Sequence, residues 1–179
     1  MKLADATWTD VRDTDTRLAL LPVGSTEGHG PHAPLGTDTL GAESVAAAGA
    51  ARSADEHGEP VVVGPLVTVG ISEEHRAFDG TLWVSPDTFR AYVRETVESL
   101  ARHGIDRVVL VNGHGGNVEA LAEVARRVSR DEPTDAYAVA FTWFEAVDDH
   151  ASKMGHAGPL ETAMLRHAAP DLVREDRAE

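Results

Sequence analysis

Two short runs of continuously apolar residues each pass directly into a glycine-rich loop that carries histidine, and this arrangement constrains the chain more than any other feature. The first is Leu18-Ala19-Leu20-Leu21-Pro22-Val23, closed by Gly24-Ser25. The second is Val108-Val109-Leu110-Val111, which ends at Asn112-Gly113-His114-Gly115-Gly116-Asn117. Unbroken rather than alternating apolarity points to strands buried on both faces, as in a parallel sheet. In open parallel sheets, ligands bind just beyond the carboxyl ends of the strands. Both loops are therefore expected to open onto one edge of one sheet.

The remaining pattern alternates helix and strand. Helix signals resume at Asp38 or Thr39, with Leu40, Ala47, Ala48 and Ala51 expected on one side, and Pro60 to Val63 reads as a strand stopped by Gly64-Pro65. Ser85 is a natural N-cap and Pro86 suits the first helical position, where a missing N–H costs nothing. Phe89, Tyr92, Val93, Val97 and Leu100 then recur at helical spacing until Gly104. Val118, Leu121, Ala125 and Val128 mark another helix, Ala136 to Phe141 a further strand, and Pro159 to His167 a short late helix. This order predicts an α/β fold with a mostly parallel central sheet and helices on both faces. One domain over 1–179 is expected, with the tail from Arg174 to Glu179 a solvated end.

Composition excludes several classes of function. Cysteine is absent, so disulfides, thiolate metal sites and cysteine nucleophiles are ruled out. The formal net charge of −14 argues against nucleic acid, which normally requires a basic stripe. No apolar run approaches the ~20 residues that cross a bilayer, and Met1 to Asp5 lacks a signal-peptide stretch. A cytoplasmic protein without a membrane partner is the expectation. Lysine occurs only at Lys2 and Lys153. Many carboxylates with few lysines suit either a halophilic source or an acidic protein of a high-GC genome, and both stay open.

The first loop runs Ser25-Thr26-Glu27-Gly28-His29-Gly30-Pro31-His32 and continues to Thr37-Asp38. In an extended segment, Glu27 and His29 point the same way. With Asp38 and His114 they form a mixed oxygen and nitrogen set that suits zinc, manganese or iron(II). Other histidines have plainer readings: His57 in a loop, His103 at a helix end where a cation favours the dipole, and His167 on a surface. His150 is left unassigned, and His32 is divided between substrate contact and loop support. His114-Gly115-Gly116 resembles a serine-hydrolase oxyanion loop, but Asn117 breaks it and no Gly-x-Ser-x-Gly elbow exists. Neither a dinucleotide fingerprint nor a P-loop is present, so a nucleotide cofactor is not expected, while a phosphorylated substrate stays open.

The segment Leu21-Pro22-Val23-Gly24-Ser25-Thr26-Glu27-Gly28-His29-Gly30-Pro31-His32, running on to Gly36-Thr37-Asp38, resembles the signature of the creatininase (creatinine amidohydrolase) family. Gly80-Thr81-Leu82 with Ser85-Pro86, then Asn112 to Asn117, then His156-Ala157-Gly158 with Glu161-Thr162, follow in the family's order, over about residues 17–167. The resemblance implies a three-layer α/β/α sandwich, a dinuclear metal amidohydrolase and a homo-oligomer, often a hexamer. It implies Glu27, Asp38 and His114 around one divalent ion, and His29, Asp38 and a second carboxylate around the other. Creatininase takes that carboxylate from two residues after the motif histidine, where this chain has Gly116, so Glu161 is the expected replacement.

The implied chemistry is metal-assisted hydrolysis of a small-molecule amide, with His156 and Glu161 catalytic. His156 would shuttle a proton to the leaving nitrogen. Ser72 and His75 are implied substrate contacts, with a packed polar loop as the alternative. Gly116, together with Ser152 and Lys153 where creatininase has an aromatic and acidic pair, speaks against creatinine itself. The best specific expectation is a formamide deformylase of a ribosylaminopyrimidine phosphate, with Lys153 pairing the phosphate. Alternatives are a creatinine amidohydrolase, a mycofactocin precursor peptidase, or an inactive metal-binding oligomeric module. Family members commonly continue past the Glu-Thr segment, so a fragment or a short member is expected.

Overall fold

The computed structural model describes residues 1–130 and 135–178, and the side chains of Asp148 and Ser152 lie outside the description. The expectation that set Ser152 against the aromatic and acidic pair of creatininase concerns a side chain that falls there, as does the final residue of the expected tail. Four strands form one all-parallel sheet in the order β2-β1-β3-β4: β1 is Leu18–Val23, β2 Val62–Val63, β3 Arg107–Asn112 and β4 Tyr137–Thr142. From β1 the chain adds β2 on one side and β3 on the other. That reversal opens a crevice at the carboxyl ends of β1 and β3. Register puts it to use, because Val23 pairs with Asn112 and the two glycine-rich loops leave the sheet at the same level.

Among the described residues, five α-helices surround the sheet: α1 Trp8–Asp13, α2 Thr37–His57, α3 Pro86–Arg102, α4 Val118–Val128 and α5 Pro159–Ala168. Alternation along the inner strands sorts them into layers. Ala19, Leu21, Val23, Val108 and Leu110 meet Phe89, Val93 and Val97 of α3 and Leu121, Val124 and Val128 of α4. Leu18, Leu20, Val109 and Val111 turn to the other face, against Ala46 and Ala50 of α2. Helix α5 packs on α2. The molecule is the expected three-layer α/β/α sandwich.

Local rules account for the helix ends. Ser85 caps α3 by accepting a hydrogen bond from the Thr88 N–H, with Pro86 next to it, and Gly104 follows at φ 83°. Helix α1, which has no strong periodicity, was not anticipated; Thr7 and Asp10 close a capping box around its first turn.

Three expectations need correction. The buried face of α2 is Asp38, Ala42, Ala46 and Ala50, whereas Ala48 and Ala51 are exposed. In a helix made largely of small residues, apolar spacing does not identify a side, and only the neighbours select one. Tyr92 is 52% exposed rather than part of the α3 core stripe. His57, expected in a loop, is instead the last residue of α2. The tail is exposed from Arg174 to Arg177, as expected, and is also tied to the body: the Arg174 N–H donates to the His32 carbonyl, and Arg166 of α5 holds Glu175 through two hydrogen bonds of 2.7 and 2.6 Å.

Candidate active site

At the crevice, buried polar groups replace the apolar core. Ser25, Glu27, His29, Asp38, Ser72, Asn112, His114, Asn117 and Glu161 are each 5% exposed or less. Glycine makes the convergence physically possible. A Cβ on Gly24 would stand 2.5 Å from the Thr39 nitrogen, and one on Gly113 only 2.2 Å from the Asp38 carbonyl oxygen. The first turn of α2 is thereby drawn against both strand ends. Asp38 sits in that turn, where the helix dipole favours a carboxylate.

Two asparagines lock the loops together. Asn117 donates to the Gly24 carbonyl and accepts from the Ile71 N–H, joining the end of β1, the segment at 70–72 and the start of α4. Asn112 accepts from the His114 N–H and donates to the His114 carbonyl. Both asparagines were part of the recognised motif, but sequence gave no means to assign them this bracing role.

Each buried imidazole is oriented by a backbone carbonyl. His29 Nδ1 is 3.0 Å from the Glu27 carbonyl, which fixes its proton there and turns Nε2 toward Asp38 Oδ1 at 3.1 Å and Glu161 Oε1 at 3.5 Å. His114 Nε2 is 2.8 Å from the Ile71 carbonyl, so Nδ1 faces Asp38 Oδ2 at 3.1 Å and Glu27 Oε1 at 3.2 Å. Such second partners set the tautomer and free the other nitrogen for a metal. Three groups of potential ligands result among the described residues: Glu27–Asp38–His114, His29–Asp38–Glu161 and Glu27–His29–His156. The first two are buried throughout and share Asp38, which offers one oxygen to each, whereas His156 of the third is exposed. Donors about 2.1 Å from a tetrahedral ion stand about 3.4 Å apart, close to these separations.

The electrostatics point the same way. Burial alone would lower both imidazole pKa values. The carboxylates win: Asp38 and Glu161 raise His29 to about 10, and Asp38 and Glu27 raise His114 to about 10. Burial pushes Asp38 and Glu27 up, yet the facing histidines hold both below the usual carboxylate range. Glu27 Oε2 and Asp38 Oδ2 remain buried with no hydrogen-bond partner among the described residues. Asp38 Oδ2 lies near His114 Nδ1 without the alignment of a hydrogen bond. Converging carboxylates with orphaned oxygens and an oxygen/nitrogen donor set fit divalent cations.

Above this centre is a cavity of about 230 Å³, lined among others by Glu74, His75, Gly116, Phe144, Met154 and His156. His156 is anchored by a hydrogen bond to the Gly28 carbonyl through Nε2, and its Nδ1 faces Glu27 Oε1 at 3.4 Å. Its ring lies 4.0 Å from that of His75 and 4.5 Å from that of His29, centre to centre. Glu161 is steadied by the Ala157 N–H at 2.7 Å, with Ala157 in the left-handed region at φ 56°. A non-glycine residue there is strained, and here the strain aims a donor at the carboxylate.

The structure places the remaining expected residues elsewhere. Ser72 is fully buried beneath His114 and shares a hydrogen bond with Ser25, so it supports the centre rather than facing the cavity. His32 lines a separate neighbouring hollow with Thr162 and Arg166, its Nε2 3.0 Å from Thr162 Oγ1. Lys153 is exposed beside His150, outside the cavity lining. His57, His103 and His167 are exposed. Glu74 was not anticipated, and its position beside His75 was the only signal.

Comparison with known proteins agrees with this geometry. The creatininase family, described as creatinine amidohydrolase, matches residues 4–179. A mycofactocin precursor peptide peptidase of Mycobacterium ulcerans is 40% identical over 164 residues, covering 88% of this chain and 61% of the relative. This chain thus spans about three-fifths of that relative's length. A putative creatinine amidohydrolase of Bacteroides fragilis superimposes with a TM-score of 0.85 at 26% identity, covering 100% of this chain and 72% of the other. A manganese form of creatininase gives a TM-score of 0.78 at 26% identity, covering 98% and 76%. The chain belongs to the creatininase family.

Proposed function

We propose that this chain binds two divalent metal ions, zinc, manganese or iron(II), and hydrolyses an amide bond, with a peptide as substrate. The observation that carries the reading is the pair of ligand groups sharing Asp38 at the switch point of the sheet. Glu27, Asp38 and His114 would hold one ion, and His29, Asp38 and Glu161 the other. When bound, such ions polarise a carbonyl and lower the pKa of water to near neutrality.

The chain's own side chains then have definite tasks. Asp38 spans the pair, and Glu161 is kept in place by the Ala157 N–H. His156 is held at Nε2 by the Gly28 carbonyl, leaving Nδ1 to take a proton from the attacking water and return it to the leaving nitrogen. His75 stacks on His156 and limits its rotation. Ser72 braces His114 from below.

The peptide reading rests on the 40% identity to a mycofactocin precursor peptide peptidase. A ribosylaminopyrimidine phosphate draws less support, because Lys153 stands away from the cavity. Elemental analysis of undialysed protein tests the centre, with about two transition-metal ions per chain expected. A parallel screen of short peptides, formamides and creatinine tests the substrate. Peptide cleavage abolished by a chelator and restored by metal is expected; turnover of a formamide alone would replace the substrate reading, and absence of metal after reconstitution would overturn the centre.

A further inference from the structure

Glu74 stands in the wall of the cavity yet belongs to none of the three ligand groups. Its side chain is exposed and makes no hydrogen bond or ion pair among the described residues. Its Oε1 lies 3.3 Å from where a Cβ on Gly116 would stand, and that same point is 2.6 Å from His114 Nε2 and 2.3 Å from the Ile71 carbonyl oxygen. Residue 116 can therefore carry no side chain in this backbone. The corner beside His114 instead receives a carboxylate from the turn Glu73–His75.

Charge indicates its use. Glu27, Asp38 and Glu161 together carry three negative charges against the four positive charges of two divalent ions, and an ionised water would bring the loaded centre to neutrality. A neutral centre offers no counter-charge to an ammonium beside the scissile amide, so a further carboxylate has to supply it. Glu74 is the carboxylate in this cavity that the centre does not use. Polar groups displaced from water by a bound ligand need a partner, and a carboxylate accepts strong hydrogen bonds from N–H donors.

We propose that Glu74 is a specificity-determining residue that accepts a hydrogen bond from an ammonium or N–H donor next to the scissile amide. The proposal deepens the amidohydrolase reading and rests on it. It selects amides that carry such a donor, as the amino end of a peptide does, over neutral amides of equal size.

The test compares L-leucinamide with 4-methylpentanamide, which has the same skeleton without the ammonium. Binding of each is measured by calorimetry to the full chain, metal-loaded and chelated, for wild type and Glu74→Gln. Wild type should prefer leucinamide by about tenfold, in line with a charge-assisted hydrogen bond. Glu74→Gln should remove most of that preference while leaving metal content and melting temperature unchanged. An unchanged preference in Glu74→Gln, or none in wild type, overturns the proposal. Loss of a metal ion in Glu74→Gln also overturns it, because Glu74 would then be a ligand. A Glu74-dependent preference in a protein that takes up no metal leaves the proposal standing and sinks the metal-centre reading instead.

Discussion

Phe89 and Glu27 are each 1% exposed, but what burial means for them is opposite. Phe89 lies in the apolar layer between the sheet and helices α3 and α4, where every neighbour gains from the exclusion of water. Glu27 lies at the carboxyl ends of the strands among Asp38, Glu161, His29 and His114, where exclusion of water penalises each charge. The apolar layer stabilises itself. The polar knot is stable only when countercharges fill it, either protons on the two imidazoles or divalent cations.

Asp38→Ala should sharpen this contrast most. Removing the shared ligand should abolish both metal ions and with them the whole metal-dependent rise in stability. That rise is about 4 kcal/mol for each ion, about 8 kcal/mol for the two in wild type, at a thousandfold excess of free metal over Kd. Elemental analysis and thermal unfolding with and without chelator would check it; retention of one ion in Asp38→Ala would break the bridging assignment. Phe89→Ala should do the reverse. It should cost about 3–5 kcal/mol in both metal states and leave the metal count intact. A metal-dependent cost, read from urea unfolding, would mean the two regions are not independent.

The pH response should differ as well. His29 and His114 are raised from 6.5 to about 10 in the folded, metal-free protein. Their contribution is fully present below pH 6.5 and is lost as pH rises through about 10. Glu27 and Asp38 are depressed, so theirs is present above the ordinary carboxylate range and is lost as pH falls below it. Chelated protein should therefore weaken steadily from pH 7 to 10, as urea unfolding would show. Metal binding competes with the same protons, so loading at pH 7 should release close to two protons per chain. Calorimetry in buffers of different ionisation enthalpy would reveal the number, and no release would overturn the protonated-imidazole picture.

The smallest of the four effects is expected for Glu161→Ala. It should weaken mainly the ion held with His29 and leave that held by Glu27, Asp38 and His114. Equal loss at both, in a metal titration, would count against the split.

Much of this was legible before any coordinates. Strands β1 and β3 announced themselves because a strand covered on both faces must be apolar throughout. Helix α3 did so because it is amphipathic and capped by Ser85 and Pro86. Helix α2 gave up its start but neither its end at His57 nor its buried face, since Ala42, Ala48 and Ala51 look alike to any apolar pattern. In the site, Glu27, His29 and His114 were readable as ligand candidates because they lie in the loops that leave β1 and β3, and Asp38 because it opens the helix into which the first loop runs. Glu161, over a hundred residues further on, was reachable only through the resemblance to a family.

Sequence alone determined the element order, the strand-end loops and the chemistry of the donor set, because these depend on local pattern and residue type. Tertiary structure alone decided that Ser72 supports from below, that His32 belongs to a neighbouring hollow, and that Glu74 enters the corner beside Gly116. Those outcomes depend on which distant segments approach within a few ångströms. Close packing settles that question collectively, through contacts such as Gly113 against the Asp38 carbonyl, and no stretch of sequence carries it by itself.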